Sequence, residues 1–193
     1  MSYEGQAAYI EPEMHDEIIE FVSERRHAER NTAILELAYR TGARCGTIAG
    51  LLLSDILNKD GSLKEVVVIR SAISKRKKVH KIYLTHPRAR KALLAWLKVR
   101  PASEVSNLFV NQKGGGFTPN TLSRCVWNIY QAFGLEGASL HSNRRAFITN
   151  IIHSNPGIDL FSVQRLAGHS SINTTALYFH SDEKKLAGLV KSA

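Results

Sequence analysis

The chain has 193 residues, enough for one large domain or two small ones, and 44% of them are hydrophobic. Its 26 lysines and arginines outnumber 17 acids, and the net charge of +9 favours a polyanionic partner, nucleic acid first and an anionic membrane surface second. Cys45 and Cys125 form no CxxC pair, which argues against a disulfide framework or a thiolate zinc site, and no stretch approaches the ~18–20 apolar residues of a membrane span. The first residues lack a basic start and an apolar run, so no signal peptide is read and a cytoplasmic location is expected.

Residues 11–26 place Met14, Ile18, Ile19 and Val22 at helical spacing and predict an amphipathic helix. Asn31 is expected to cap a second helix bearing Ile34, Leu35, Leu37 and Ala38, with Gly42 as its stop. A short third helix is expected from Cys45 to Leu53. The pattern then changes. Val66 to Ile69 is a β-branched apolar run, and His80 to Leu84 alternates with Ile82 and Leu84 on one face. The basic run Lys75-Arg76-Lys77-Lys78 lies between them, which predicts two antiparallel strands joined by a basic turn. Helix returns over 87–98. Gly114-Gly115-Gly116 reads as a hairpin-type turn and not a phosphate-binding loop, because no Gly-Lys-Ser/Thr follows. Thr118-Pro119 opens a further helix with a cap and a proline at its first position. His141 to Ser154, Leu160 to Ala167 (stopped by Gly168) and Ser171 to His180 continue in helix or turns, and Glu183 to Val190 is a weakly amphipathic tail. The expected fold is mainly α (α+β), one domain over residues 1–193 with a small antiparallel sheet inserted near 62–84.

Three polar clusters interrupt these elements. Thr41-Gly42-Ala43-Arg44 places an arginine at the start of a helix, where its fork can bind phosphate oxygens. His141-Ser142-Asn143-Arg144 sets an imidazole and a guanidinium three apart, on one helical face. Gly168-His169 precedes Tyr178, which follows Leu177, a residue expected to face the core. Two guanidiniums, two imidazoles and a phenol suit attack by a tyrosine on a phosphodiester. Lys75 could protonate a leaving oxygen. Each signal also has an ordinary reading: a solvated helix start, a solvated basic turn, a capping histidine, a half-buried tyrosine. No HExxH or ligand-spaced carboxylate accompanies the histidines, and no metal is expected.

The order and spacing of these clusters, from about residue 30 to 181, resemble the catalytic domain of tyrosine recombinases, the family of phage integrases, Xer proteins and Cre. Thr41-Gly42-Ala43-Arg44, with Leu51 through Asp55-Ile56, is similar to its first-arginine motif. Ser74-Lys75, with Ile82-Tyr83-Leu84, is similar to its hairpin lysine. His141 to Phe147 resembles its His-x-x-Arg box, and Leu166 to Thr175 followed by Tyr178-Phe179-His180 resembles its last motif. The resemblance implies that Tyr178 joins a DNA 3′-phosphate, that Arg44 and Arg144 hold the non-bridging oxygens and that Lys75 protonates the 5′-oxygen. It further implies that His141 assists proton removal from Tyr178 and that His169 hydrogen-bonds the phosphate. Double-stranded DNA is the implied partner, contacted also by Arg76, Lys77, Lys78 and Arg145, with four protomers on two sites and no cofactor, metal or membrane. A type IB topoisomerase-like enzyme and a non-cleaving DNA-binding module are the alternatives. Thr47 stands where the family usually has an acid, and Tyr83 where it often has proline. Relatives carry a helical core-binding domain ahead of this region, which is expected to be absent here.

Overall fold

The computed structural model describes residues 7–74 and 79–179. In chain order these form α1 (Pro12–Ser23), α2 (Ala28–Thr41), α3 (Cys45–Gly50), α4 (Leu53–Ile56), β1 (Val66–Ile69) and a 3-10 turn, Ser71–Ile73. There follow β2 (His80–Tyr83), α5 (Pro87–Val99), α6 (Pro119–Phe133), α7 (Leu140–Ser154), α8 (Leu160–Ala167) and α9 (Ile172–Ala176). The chain divides into two compact units after Phe147, so that α7 begins in the first and ends in the second.

In the first unit α2 packs against both α1 and α5. A helix covered on most sides must be apolar on most sides, and Ala33, Ile34, Leu35, Leu37, Ala38 and Tyr39 are all buried. Gly42 ends it at φ +62, the left-handed cap expected of glycine. Its start differs from expectation. Asn31 is not the cap; α2 begins a turn earlier, behind His27 at φ +64. The Asn31 side-chain oxygen Oδ1 is taken instead by the buried Arg30 guanidinium, at 3.0 and 3.2 Å. Arg30 also reaches the Val110 carbonyl, so a partner distant in sequence decides the matter.

Glu36 is the buried anion of this core. It pairs with Arg88 at 2.9 Å and Arg40 at 3.3 Å, and lies 3.4 Å from His15 Nε2, whose ring stacks on Tyr39. Burial would raise the Glu36 carboxyl, but contact with His15 and the charges of Arg88 and Arg40 outweigh it and hold its pKa low. For His15 burial wins over the neighbouring carboxylate, and its pKa is lowered.

β1 and β2 form the antiparallel hairpin read from the sequence, with Val67 opposite Ile82 and Ile69 opposite His80. Val67, Ile69, Ile82 and Leu84 face the core, while Val66, Val68 and Tyr83 are exposed. Thr118 caps α6, its Oγ1 accepting from the Thr121 N–H at 3.2 Å. In the second unit Gly168 closes α8 at φ +60, and Asp159 caps its start. The expected tail helix and His180 lie outside the described residues. Among the described residues no helix is long and apolar enough to cross a membrane.

Candidate active site

The first unit contains a cleft of about 750 Å³ whose lining includes Arg44, His141 and Arg144. Three side chains singled out from two distant stretches of sequence therefore share one concavity. The turn after β1 supplies another wall through Ala72, Ile73 and Ser74. His141 is exposed at the opening, Arg44 is half-buried, and Arg144 is only 5% exposed. A guanidinium so withdrawn from water needs fixed partners. Arg144 Nη1 donates to the Gly42 carbonyl at 2.7 Å, two residues before Arg44. This bond ties α7 to the turn between α2 and α3.

The close approach behind that bond depends on Gly42. A Cβ there would sit 2.4 Å from Cδ1 of Phe147, one helical turn after Arg144. The missing side chain at Gly42 thus lets the Phe147 ring lie against the turn. The middle of the His-Ser-Asn-Arg cluster faces inward and orients its ends. Ser142 Oγ accepts from the Ser139 N–H at 3.0 Å, while Ser139 Oγ accepts from the His141 N–H at 3.2 Å. This is a reciprocal cap at the start of α7. Asn143 Nδ2 donates to the buried Tyr130 hydroxyl at 2.5 Å, joining α7 to α6. Burial pushes the Tyr130 phenol well above its ordinary range, so it stays neutral.

The wall carrying Ser74 is held by a second clamp. Arg70 Nε donates to both Asp55 oxygens at 2.9 and 3.1 Å, and Nη2 donates to Asp55 at 3.0 Å and to the Gly50 carbonyl at 2.9 Å. Asp55 also accepts from the Leu52 N–H at 2.9 Å, capping the start of α4. Gly50 lets Ile73 press against α3, since a Cβ there would meet Ile73 Cγ2 at 2.4 Å. No sequence motif marks the pairs Gly42–Phe147, Arg70–Asp55 and Asn143–Tyr130. Only the Ser139-x-x-Ser142 spacing carried a local signal for its part in the site.

In the second unit Gly168 reverses the chain, and His169 Nδ1 lies 2.9 Å from the Thr175 hydroxyl of α9. The His169 and Tyr178 rings are stacked at 6.2 Å between centroids. Leu177 departs from expectation: it is 63% exposed, not turned to the core. α9 ends at Ala176, and the Tyr178 and Phe179 N–H groups bond three residues back, so helical face logic no longer applies there. Tyr178 itself is half-buried.

Lys75, Arg76, Lys77 and Lys78 lie outside the described residues. Arg145 Nη1 donates to the Ala7 carbonyl at 2.6 Å. Thr47 is buried within α3. Cys45 lines the cleft, but burial raises its thiol pKa and keeps it protonated, a poor nucleophile. Among the described residues no group of three or more His, Cys, Asp or Glu could hold a metal ion.

A mainly helical chain with a two-stranded antiparallel hairpin and an arginine–histidine–arginine cleft has the fold of tyrosine recombinase catalytic domains. It aligns with the XerH site-specific recombinase bound to its difH substrate at a TM-score of 0.76 and 24% identity, over 98% of this chain and 55% of that one. It also aligns with the Tn1549 transposon integrase in complex with transposon right-end DNA, at a TM-score of 0.80 and 16% identity, over 100% of this chain and 68% of that one. The chain belongs to the phage integrase family, which it matches over residues 8–185. It is 35% identical over 159 residues to the tyrosine recombinase XerC of Corynebacterium glutamicum, covering 81% of this chain and 48% of that protein. The chain spans about half the length of the curated relatives it matches.

Proposed function

We propose that this chain is the DNA breaking-rejoining domain of a site-specific recombinase that works through a 3′-phosphotyrosine. Tyr178 would attack the phosphorus of a DNA phosphodiester, forming the phosphotyrosine bond and expelling the 5′-oxygen. Arg44 and Arg144 would neutralise the two non-bridging oxygens, whose charge grows in the pentavalent transition state. His141 would take the phenol proton, His169 would hydrogen-bond a phosphate oxygen, and Lys75 would protonate the departing 5′-oxygen. A free 5′-hydroxyl from the other duplex would reverse the step and exchange strands. The phosphoester conserves the energy of the broken bond, so neither metal nor nucleotide hydrolysis is required. Double-stranded DNA is the partner, with backbone contacts from Arg76, Lys77, Lys78 and Arg145 and with four protomers acting on two sites.

The observation that supports this reading best is the shared cleft of Arg44, His141 and Arg144, with Arg144 almost wholly buried. Two arginines lining one cleft, one of them buried, could together contact a single anion. The test is a nicked suicide duplex incubated with the protein. A covalent protein–DNA adduct that disappears in Tyr178→Phe is the expected result. Retained binding with no adduct on any duplex means a non-cleaving module instead, and relaxation of plasmids regardless of sequence means a topoisomerase.

A further inference from the structure

Thr175 has no counterpart among the groups assigned above, yet it is fully buried and its hydroxyl lies 2.9 Å from His169 Nδ1. A buried hydroxyl has one proton to place. Among the described residues Thr175 Oγ1 makes no other hydrogen bond. Were Oγ1 to accept from an Nδ1–H, its own proton would be stranded in the interior, where an unmet donor is costly. Donation from Oγ1–H to Nδ1 satisfies both groups. A neutral imidazole that accepts at Nδ1 must carry its hydrogen on Nε2. We infer that Thr175 is a positioning residue that sets the His169 tautomer, so that Nε2 carries the hydrogen that the proposed function gives to a phosphate oxygen. The inference rests on the proposed function for what His169 donates to, but not for which nitrogen is protonated. The local chain supports it: Gly168 turns His169 toward α9, and the Tyr178 N–H bonds to the Thr175 carbonyl at 3.0 Å. One residue thus anchors both the imidazole and the turn that carries the phenol.

Two measurements test this. Nitrogen-15 NMR of histidine-labelled protein should show His169 protonated at Nε2, and Thr175→Val should lose that preference while Thr175→Ser keeps it. On the suicide duplex, Thr175→Val should slow adduct formation about fivefold to tenfold and Thr175→Ser less than about twofold. In a His169→Ala background Thr175→Val should cost less than about twofold more, because its effect passes through the ring. An Nδ1–H signal in the unaltered protein overturns the inference. So does a slowing by Thr175→Val that is just as large without His169, which would mean a packing role. If the unaltered protein forms no adduct, the proposed function fails, and the NMR tautomer still decides this point.

Discussion

Gly42→Ala is the most direct probe of how the cleft is assembled. The new methyl group meets two penalties. The backbone is held at φ +62, which costs an alanine about 1–2 kcal/mol over glycine. The methyl would also lie 2.4 Å from Phe147 Cδ1 and 3.0 Å from Cγ, and such overpacking costs about 1–3 kcal/mol. The sum, about 2–5 kcal/mol, corresponds to a fall in Tm of roughly 4–20 °C for a chain of this size. Differential scanning calorimetry of a double-mutant cycle with Phe147→Ala separates the parts. With the ring removed, the backbone penalty of about 1–2 kcal/mol should remain and the steric one vanish, a coupling of about 1–3 kcal/mol. Additive effects would refute the claim that the missing side chain makes room for the ring. Because the Gly42 carbonyl accepts from Arg144, Gly42→Ala should also lower adduct formation, with partial recovery in the double variant.

Stability should fall as pH drops below 6.5. His15 has a lowered folded pKa, so in that window the unfolded chain takes up a proton that the folded chain refuses. Glu36, also lowered, contributes stability above 4.5 that is lost as pH falls through its folded value. His27 and His86 are lowered too, so His15→Gln should reduce the slope of the urea midpoint between pH 7 and 5 without abolishing it. A midpoint unchanged over that range would contradict the assignment. Arg70→Lys keeps the charge but loses the fork on Asp55 and Gly50, and should destabilise by about 1–2 kcal/mol in urea titration. Asp55→Asn should then cost less in that background than alone; equal costs would mean the two side chains do not act together.

Local chemistry was legible wherever a residue's role ends within a few positions of itself. Gly42 and Gly168 stop their helices because only glycine tolerates a left-handed cap cheaply, and that is visible in any sequence. The hairpin likewise follows from the β-branched apolar run Val66 to Ile69 and the alternation from His80 to Leu84. Asn31 shows the limit. As a cap it was a sound local reading, but the guanidinium of Arg30, itself held by the Val110 carbonyl, engaged its side chain inside the helix. Leu177 shows another, because a helix that ends one residue sooner leaves it exposed.

The order of Arg44, His141, Arg144, His169 and Tyr178 along the chain determined the family. Tertiary structure decided how Arg44 and the His141–Arg144 helix come to share a cleft. The reason is that the contacts doing so have no period and no motif: a carbonyl at Gly42 receiving Arg144, a ring at Phe147 filling the space of an absent methyl, and Asn143 finding Tyr130. Each is a meeting of two surfaces that exist only once both have folded, and neither partner's own stretch of sequence specifies it.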